Sequence, residues 1–133
     1  MRLILADTGA VSRALTNVPK FSEAFDYIGE SNVLISAATK VELFQWINGY
    51  KSQLGEKDYR SLLLKVNSLN TVQIDRKVSA TAVELSRRYF SGVGDLLIAA
   101  TAIENDIELF TYNKKHFKTI KGVRLYNPPS FQK

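Results

Sequence analysis

The sequence predicts an α/β fold, a three-layer α/β/α sandwich around a mainly parallel central sheet. Three observations lead there. The strand-like segments are short, continuous apolar runs, so both of their faces must be covered. Stretches of helical periodicity separate them, as a layered α/β domain requires. The chain has 133 residues, 45% of them apolar, which suits a core formed without disulfides and one domain over residues 1–133.

The elements follow in order. Residues 3–6 are an apolar run bounded by Asp7, Thr8 and Gly9, which reads as a buried strand ending in a tight turn. Helical patterns cover residues 11–15 and 21–28, the second introduced by Pro19 and closed by Gly29. VLIS at 33–36 is a second buried strand, with Ser36 placed to cap a helix over 37–50 that carries Val41, Phe44 and Ile47. A polar turn over 49–55 leads to an amphipathic helix over 56–69, through Tyr59, Leu62, Val66 and Leu69, forming a helical hairpin with its predecessor. A strand at 72–74, a helix over 76–90, a nearly all-apolar helix over 95–105 and a strand at 108–111 come next. A last short strand is expected at 123–126 before Pro128 and Pro129 end regular structure. Helical spacing assigns most of Phe44, Trp46, Tyr50 and Tyr59 to the core.

The absence of cysteine excludes thiol nucleophiles and cysteine-ligated zinc, and one histidine excludes a multi-histidine metal site. The apolar run at 3–6 is too short for a signal peptide and no segment has the length of a membrane span, so a soluble, cytoplasmic protein is expected. Lys and Arg number 18 against 13 acids, a net charge of +5 that favours polyanionic partners without defining one. No acid follows Glu108, whereas Lys114, Lys115, Lys118, Lys121, Arg124 and Lys133 do. Such a basic patch could position an RNA backbone, although any single lysine, like Arg87 or Arg88, also reads as ordinary solvated surface.

Ligands of parallel α/β sheets collect beyond the carboxyl ends of the strands. Polar residues there are Asp7 and Thr8, Ser36 to Glu42, and Thr111 to His116, and Asp95 joins them at the start of the apolar helix after a GVG segment. Singly, Asp7 and Asp95 read as helix caps and Glu42 as a helical surface acid. Together, carboxylates gathered on one edge repel one another unless some are protonated or a cation neutralises them. A hard divalent ion, Mg²⁺ or Mn²⁺, takes oxygen ligands and activates water for phosphodiester hydrolysis.

Four stretches carry a resemblance: ILADTGAV at 4–11, ISAATKVEL at 35–43, GDLLIAATA at 94–102 and LFTYNKKHF at 109–117. In order and spacing they resemble the PIN-domain family, most closely the VapC-type ribonuclease toxins of toxin–antitoxin pairs. The resemblance implies a Mg²⁺- or Mn²⁺-dependent endoribonuclease that leaves 5′-phosphate and 3′-hydroxyl ends. It also implies an antitoxin that occludes the active site, and a homodimer. It makes Asp7, Glu42 and Asp95 the catalytic metal ligands, and Thr8, Ser36, Thr111 and Asn113 supporting polar positions.

At His116 the chain departs from the pattern, which has an acid directly before the phenylalanine that is Phe117 here. The acidic quartet becomes a trio, which lowers affinity for a second metal most. An imidazole there could favour Mn²⁺ over Mg²⁺, hydrogen-bond water or phosphate, or stand as a bystander on a basic turn. A degenerate PIN domain that binds RNA or protein with little cleavage is therefore the alternative. A haloacid dehalogenase-type phosphotransferase fits poorly, because no second aspartate follows two residues after Asp7, and a Rossmann or P-loop nucleotide-binding protein is disfavoured because no glycine-rich phosphate loop follows the first strand.

Overall fold

The computed structural model describes residues 2–129; Lys133 of the basic tail lies outside them. Four strands, β1 (Ile4–Ala6), β2 (Val33–Ser36), β3 (Asn70–Val72) and β4 (Glu108–Phe110), form a sheet of order β3-β2-β1-β4. Every pairing is parallel. The helices are α1 (Thr8–Leu15), α2 (Pro19–Ile28), α3 (Ala37–Gly49), α4 (Lys51–Leu54), α5 (Glu56–Ser68), α6 (Arg76–Ser86), α7 (Val93–Glu104) and α8 (Lys114–Lys118), with a 3-10 turn at Glu30–Asn32.

Side chains alternate across the strands, so each face of the sheet has its own core. On one face Ile4, Ala6, Val33, Ile35 and Phe110 pack with Val11, Phe21, Leu43 and Val66 from α1, α2, α3 and α5. On the other, Leu5 and Leu109 pack with Val78, Leu85, Ile98 and Phe117 from α6, α7 and α8. The result is the expected α/β/α sandwich. Among the described residues no helix is long and apolar enough to cross a membrane.

Local chemistry sets the helix boundaries. Asp7, Ser36 and Asp75 cap α1, α3 and α6 by accepting from the backbone N–H of Ala10, Ala38 and Val78 at 2.8, 3.1 and 2.9 Å. Pro19 opens α2 with its φ already helical, and Gly29, at φ 91°, ends it in a conformation that glycine adopts without a side-chain clash.

Several boundaries differ from expectation. The third strand lies two residues earlier than 72–74, because pairing of Leu34 with Asn70 and Ser36 with Val72 fixes its register on β2. The turn over 49–55 contains the single helical turn α4, and α6 ends at Ser86 rather than at residue 90. The expected strand at 123–126 is one parallel bridge between Leu109 and Leu125, held by Leu109 N–H to the Arg124 carbonyl and Tyr126 N–H to the Leu109 carbonyl. On α3 the buried stripe is Thr39, Leu43 and Ile47, at i, i+4 and i+8, which leaves Val41 and Tyr50 exposed. Phe44, Trp46 and Tyr59 lie at the margin of the core rather than inside it.

Leu5, fully buried in the central strand, offers a direct test of this packing. Leu5→Ala is expected to lower unfolding free energy by about 3 kcal/mol through lost burial and a residual cavity. The exposed Val83→Ala should change it by less than about 0.5 kcal/mol, both measured by urea denaturation.

Candidate active site

The site begins with strand register. Ala6 lies opposite Phe110, so the next residues, Asp7 and Thr111, emerge side by side at the carboxyl end of the sheet. The Asp7 N–H donates to the Phe110 carbonyl at 3.0 Å and extends the ladder to that point. Asp7 is 6% exposed, which is rare for a carboxylate and costly unless its oxygens are satisfied.

Both oxygens are engaged. Oδ1 accepts from Ala10 N–H, and Oδ2 accepts from the Thr111 hydroxyl. The Asn113 N–H donates to Thr111 Oγ1 at 2.9 Å, which leaves the hydroxyl hydrogen free to point at Asp7. Burial nevertheless raises the Asp7 pKa above its ordinary value, and the negative charge of Asp95 raises it further. Hydrogen bonds from Thr111, Ala10 and the Tyr112 backbone act against that rise without cancelling it.

Glu42, on α3, reaches the same edge half-buried. Its Oε1 accepts from the Thr8 hydroxyl at 2.5 Å, and Thr8 Oγ1 also lies 3.3 Å from Thr39 Oγ1, one turn before Glu42. The other oxygen rests against Gly94: a Cβ added there would lie 2.6 Å from Glu42 Oε2. Gly94 is thus the contact surface that lets the carboxylate approach α7.

Asp95 sits in the first turn of α7, where negative charge complements the helix dipole, but Gly92 rather than Asp95 is the N-cap and no side chain caps this helix. The expected capping role is corrected accordingly. Its Oδ2 lies 3.4 Å from His116 Nε2, and the same nitrogen is 2.7 Å from Ser91 Oγ. His116 therefore contacts Asp95 and Ser91 rather than standing free on the basic turn.

Of the supporting positions, Thr8 and Thr111 hold acids, and Asn113 contributes its backbone N–H. Ser36 is buried and engaged as the α3 cap. Lys114 reaches Asn127 Oδ1 at 3.0 Å, while Lys115 and Lys118 are exposed. Three contributors escaped the sequence reading: Ser91, Thr39 and Gly94 in its role against Glu42. Thr39 was legible as the i−3 neighbour of Glu42 on one helix face; Ser91 left no signal.

The family model of the PIN domain matches residues 4–123. The chain belongs to the PIN domain family. This PIN domain is similar to a chain of the promoter-DNA-bound VapBC2 complex of Rickettsia felis, at 24% identity and TM-score 0.79, over 96% of this chain and 99% of that one. It is similar to a chain of a Klebsiella pneumoniae toxin–antitoxin complex, at 26% identity and TM-score 0.71, over 96% and 99%. A third likeness is to VapC20 of Mycobacterium tuberculosis, a Sarcin-Ricin loop cleaving toxin, at 14% identity and TM-score 0.66, over 93% and 99%. No curated protein sequence matches the chain.

PIN domains generally use divalent metal ions. The donors Asp7, Glu42 and Asp95 are the hard oxygen groups that Mg²⁺ or Mn²⁺ takes, and the raised pKa of Asp7 marks negative charge that a cation would relieve. Among the described residues, however, no three carboxylate or imidazole groups form a ready-made ligand cluster. Glu42 accepts from Thr8 instead, and Asp95 lies against His116.

The burial of Asp7 sets a pH dependence of stability. Its folded pKa is raised, so the native state holds a proton that the unfolded chain has released, and this group's contribution falls as pH rises from 3.8 through the folded value. Asp7→Asn, which keeps the cap, is expected to raise the Tm at pH 7 over the parent, with the gain shrinking toward pH 4. Thermal melts in Mn²⁺ should stabilise the parent and leave the Asn variant unmoved.

Proposed function

We propose that this PIN domain is a Mg²⁺- or Mn²⁺-dependent endoribonuclease that acts as the toxin of a toxin–antitoxin pair. The observation that carries the reading is the buried, poorly neutralised carboxylate of Asp7, with Glu42, Asp95 and His116 gathered on the same edge of a parallel sheet. Likeness to VapC-type toxins, one of them a Sarcin-Ricin loop cleaving toxin by name, supports the substrate class.

Asp7, Glu42 and Asp95 would hold the cation. A bound divalent ion would supply charge neutralisation of these carboxylates and activation of water for phosphodiester hydrolysis. The chain's own residues fix the geometry: Thr111 orients Asp7, Thr8 orients Glu42, and His116 with Ser91 sets Asp95. No side chain need act as a nucleophile. Lys114, Lys115 and Lys118 supply sequence-independent attraction to the RNA backbone. An antitoxin that occludes this edge and a homodimer of the PIN domain complete the reading, in line with the toxin–antitoxin complexes it resembles.

A second reading, a PIN domain that binds RNA or protein and cuts little, is favoured by one observation: the imidazole of His116 occupies the place of a fourth acid and contacts Asp95. Cleavage of structured RNAs in EDTA, Mg²⁺ and Mn²⁺ separates the two. Cleavage only with metal, reduced at least about a hundredfold by Asp7→Asn or Asp95→Asn, is expected for the nuclease. Metal-independent activity, or activity that survives both substitutions, would sink the proposed site; RNA binding without cleavage in any metal selects the second reading.

Gly94→Ala gives an independent check on Glu42. Alanine favours the helix by up to about 1 kcal/mol, so the Tm should hold or rise. Cleavage should fall at least about tenfold, because the methyl group would displace the Glu42 carboxylate.

A further inference from the structure

Arg13, on α1, has an environment unlike that of the other cations near the site. Its guanidinium carbon lies 3.3 Å from the centroid of the Tyr112 ring, and its Nη1 donates to the Gly9 carbonyl at 3.1 Å. It is half-buried, and among the described residues no carboxylate pairs with it. A fixed guanidinium without an anion is an anion site in waiting, since four of its five N–H groups remain to be used.

Its position ties it to the acids. A Cβ added to Gly9 would lie 3.1 Å from Tyr112 Cβ, 3.4 Å from Arg13 Nη1 and 3.7 Å from Asp7 Oδ1. The missing side chain of Gly9 is what lets aromatic ring, guanidinium and carboxylate converge. Tyr112 joins both ends, because its ring carries Arg13 and its backbone N–H favours the charged form of Asp7. The carboxylates of Asp7, Glu42 and Asp95 repel an RNA backbone, and Lys115 and Lys118 are exposed on flexible stems, whereas Arg13 is already held by Tyr112 and Gly9.

We propose that Arg13 is a phosphate-binding residue that takes a non-bridging oxygen pair of the RNA backbone beside the Asp7–Asp95 site, with Tyr112 and Gly9 as its positioning residues. The inference rests on the ribonuclease reading and adds to it the group that seats the backbone. Fork-like guanidinium geometry matches two phosphate oxygens at once, which a lysine cannot reproduce.

The test is anisotropy of a labelled single-stranded RNA in EDTA, across a KCl series, with parent, Arg13→Gln, Arg13→Lys and Arg60→Gln. Arg60 lies on α5 in an exposed pair with Glu56, so its variant removes the same charge elsewhere. Arg13→Gln should weaken binding roughly tenfold and reduce the slope of log K against log salt by about 0.7. Arg13→Lys should retain the slope while losing affinity, which keeps the idea testable if the Gln variant unfolds, and Arg60→Gln should follow the parent. Parent-like affinity and slope in folded Arg13→Gln, or an equal effect of Arg60→Gln, overturns the proposal while leaving the nuclease intact. If the parent neither binds RNA nor cleaves it in Mn²⁺, the ribonuclease reading fails and takes the proposal with it.

Discussion

The burial of one carboxylate, Asp7, at the carboxyl end of the central strand is the constraint on which the rest of the site depends. A charged group at 6% exposure must be satisfied or neutralised. The fold meets most of that demand by register: pairing of Ala6 with Phe110 delivers Thr111 to Oδ2, and the first turn of α1 delivers the Ala10 N–H to Oδ1. The residual cost persists as a raised pKa, and Asp95 adds to it. Selection for stability alone would replace such a group; the proposed cation-binding role would account for its cost.

The other acids are held differently, each by its own neighbour, and among the described residues no ready-made ligand cluster forms. Glu42 is anchored by Thr8 and lies on Gly94, and Asp95 lies against His116, whose Nε2 is in turn bonded to Ser91. Each carboxylate has its own protein partner, which stabilises its charge without drawing the acids together. His116 matters most here. A fourth acid at its place would add repulsion, whereas the imidazole places an uncharged or cationic ring nitrogen 3.4 Å from Asp95 Oδ2.

Much of this was legible in the sequence because it depends on local rules. Apolar runs separated by helices gave the parallel sheet, and the position of Asp7 just after such a run implied both its cap and its place on the sheet edge. What sequence could not supply depends on register and on loops. The third strand slid by two residues because β2 dictates its partners, and the closing strand shrank to one bridge because β4 is only three residues long. Asp95 read as a cap because the GVG segment looked like loop, while α7 in fact begins at Val93. Ser91 and the Arg13–Tyr112 stack arise from contacts between distant segments, which no local pattern encodes.

Anomalous diffraction from crystals grown with Mn²⁺ tests the central claim most directly. A manganese peak is expected within bonding distance of the Asp7 and Asp95 carboxylates, with Glu42 bound directly or through water. A saturated crystal with no peak at Asp7, or with manganese held only by surface carboxylates, would contradict it.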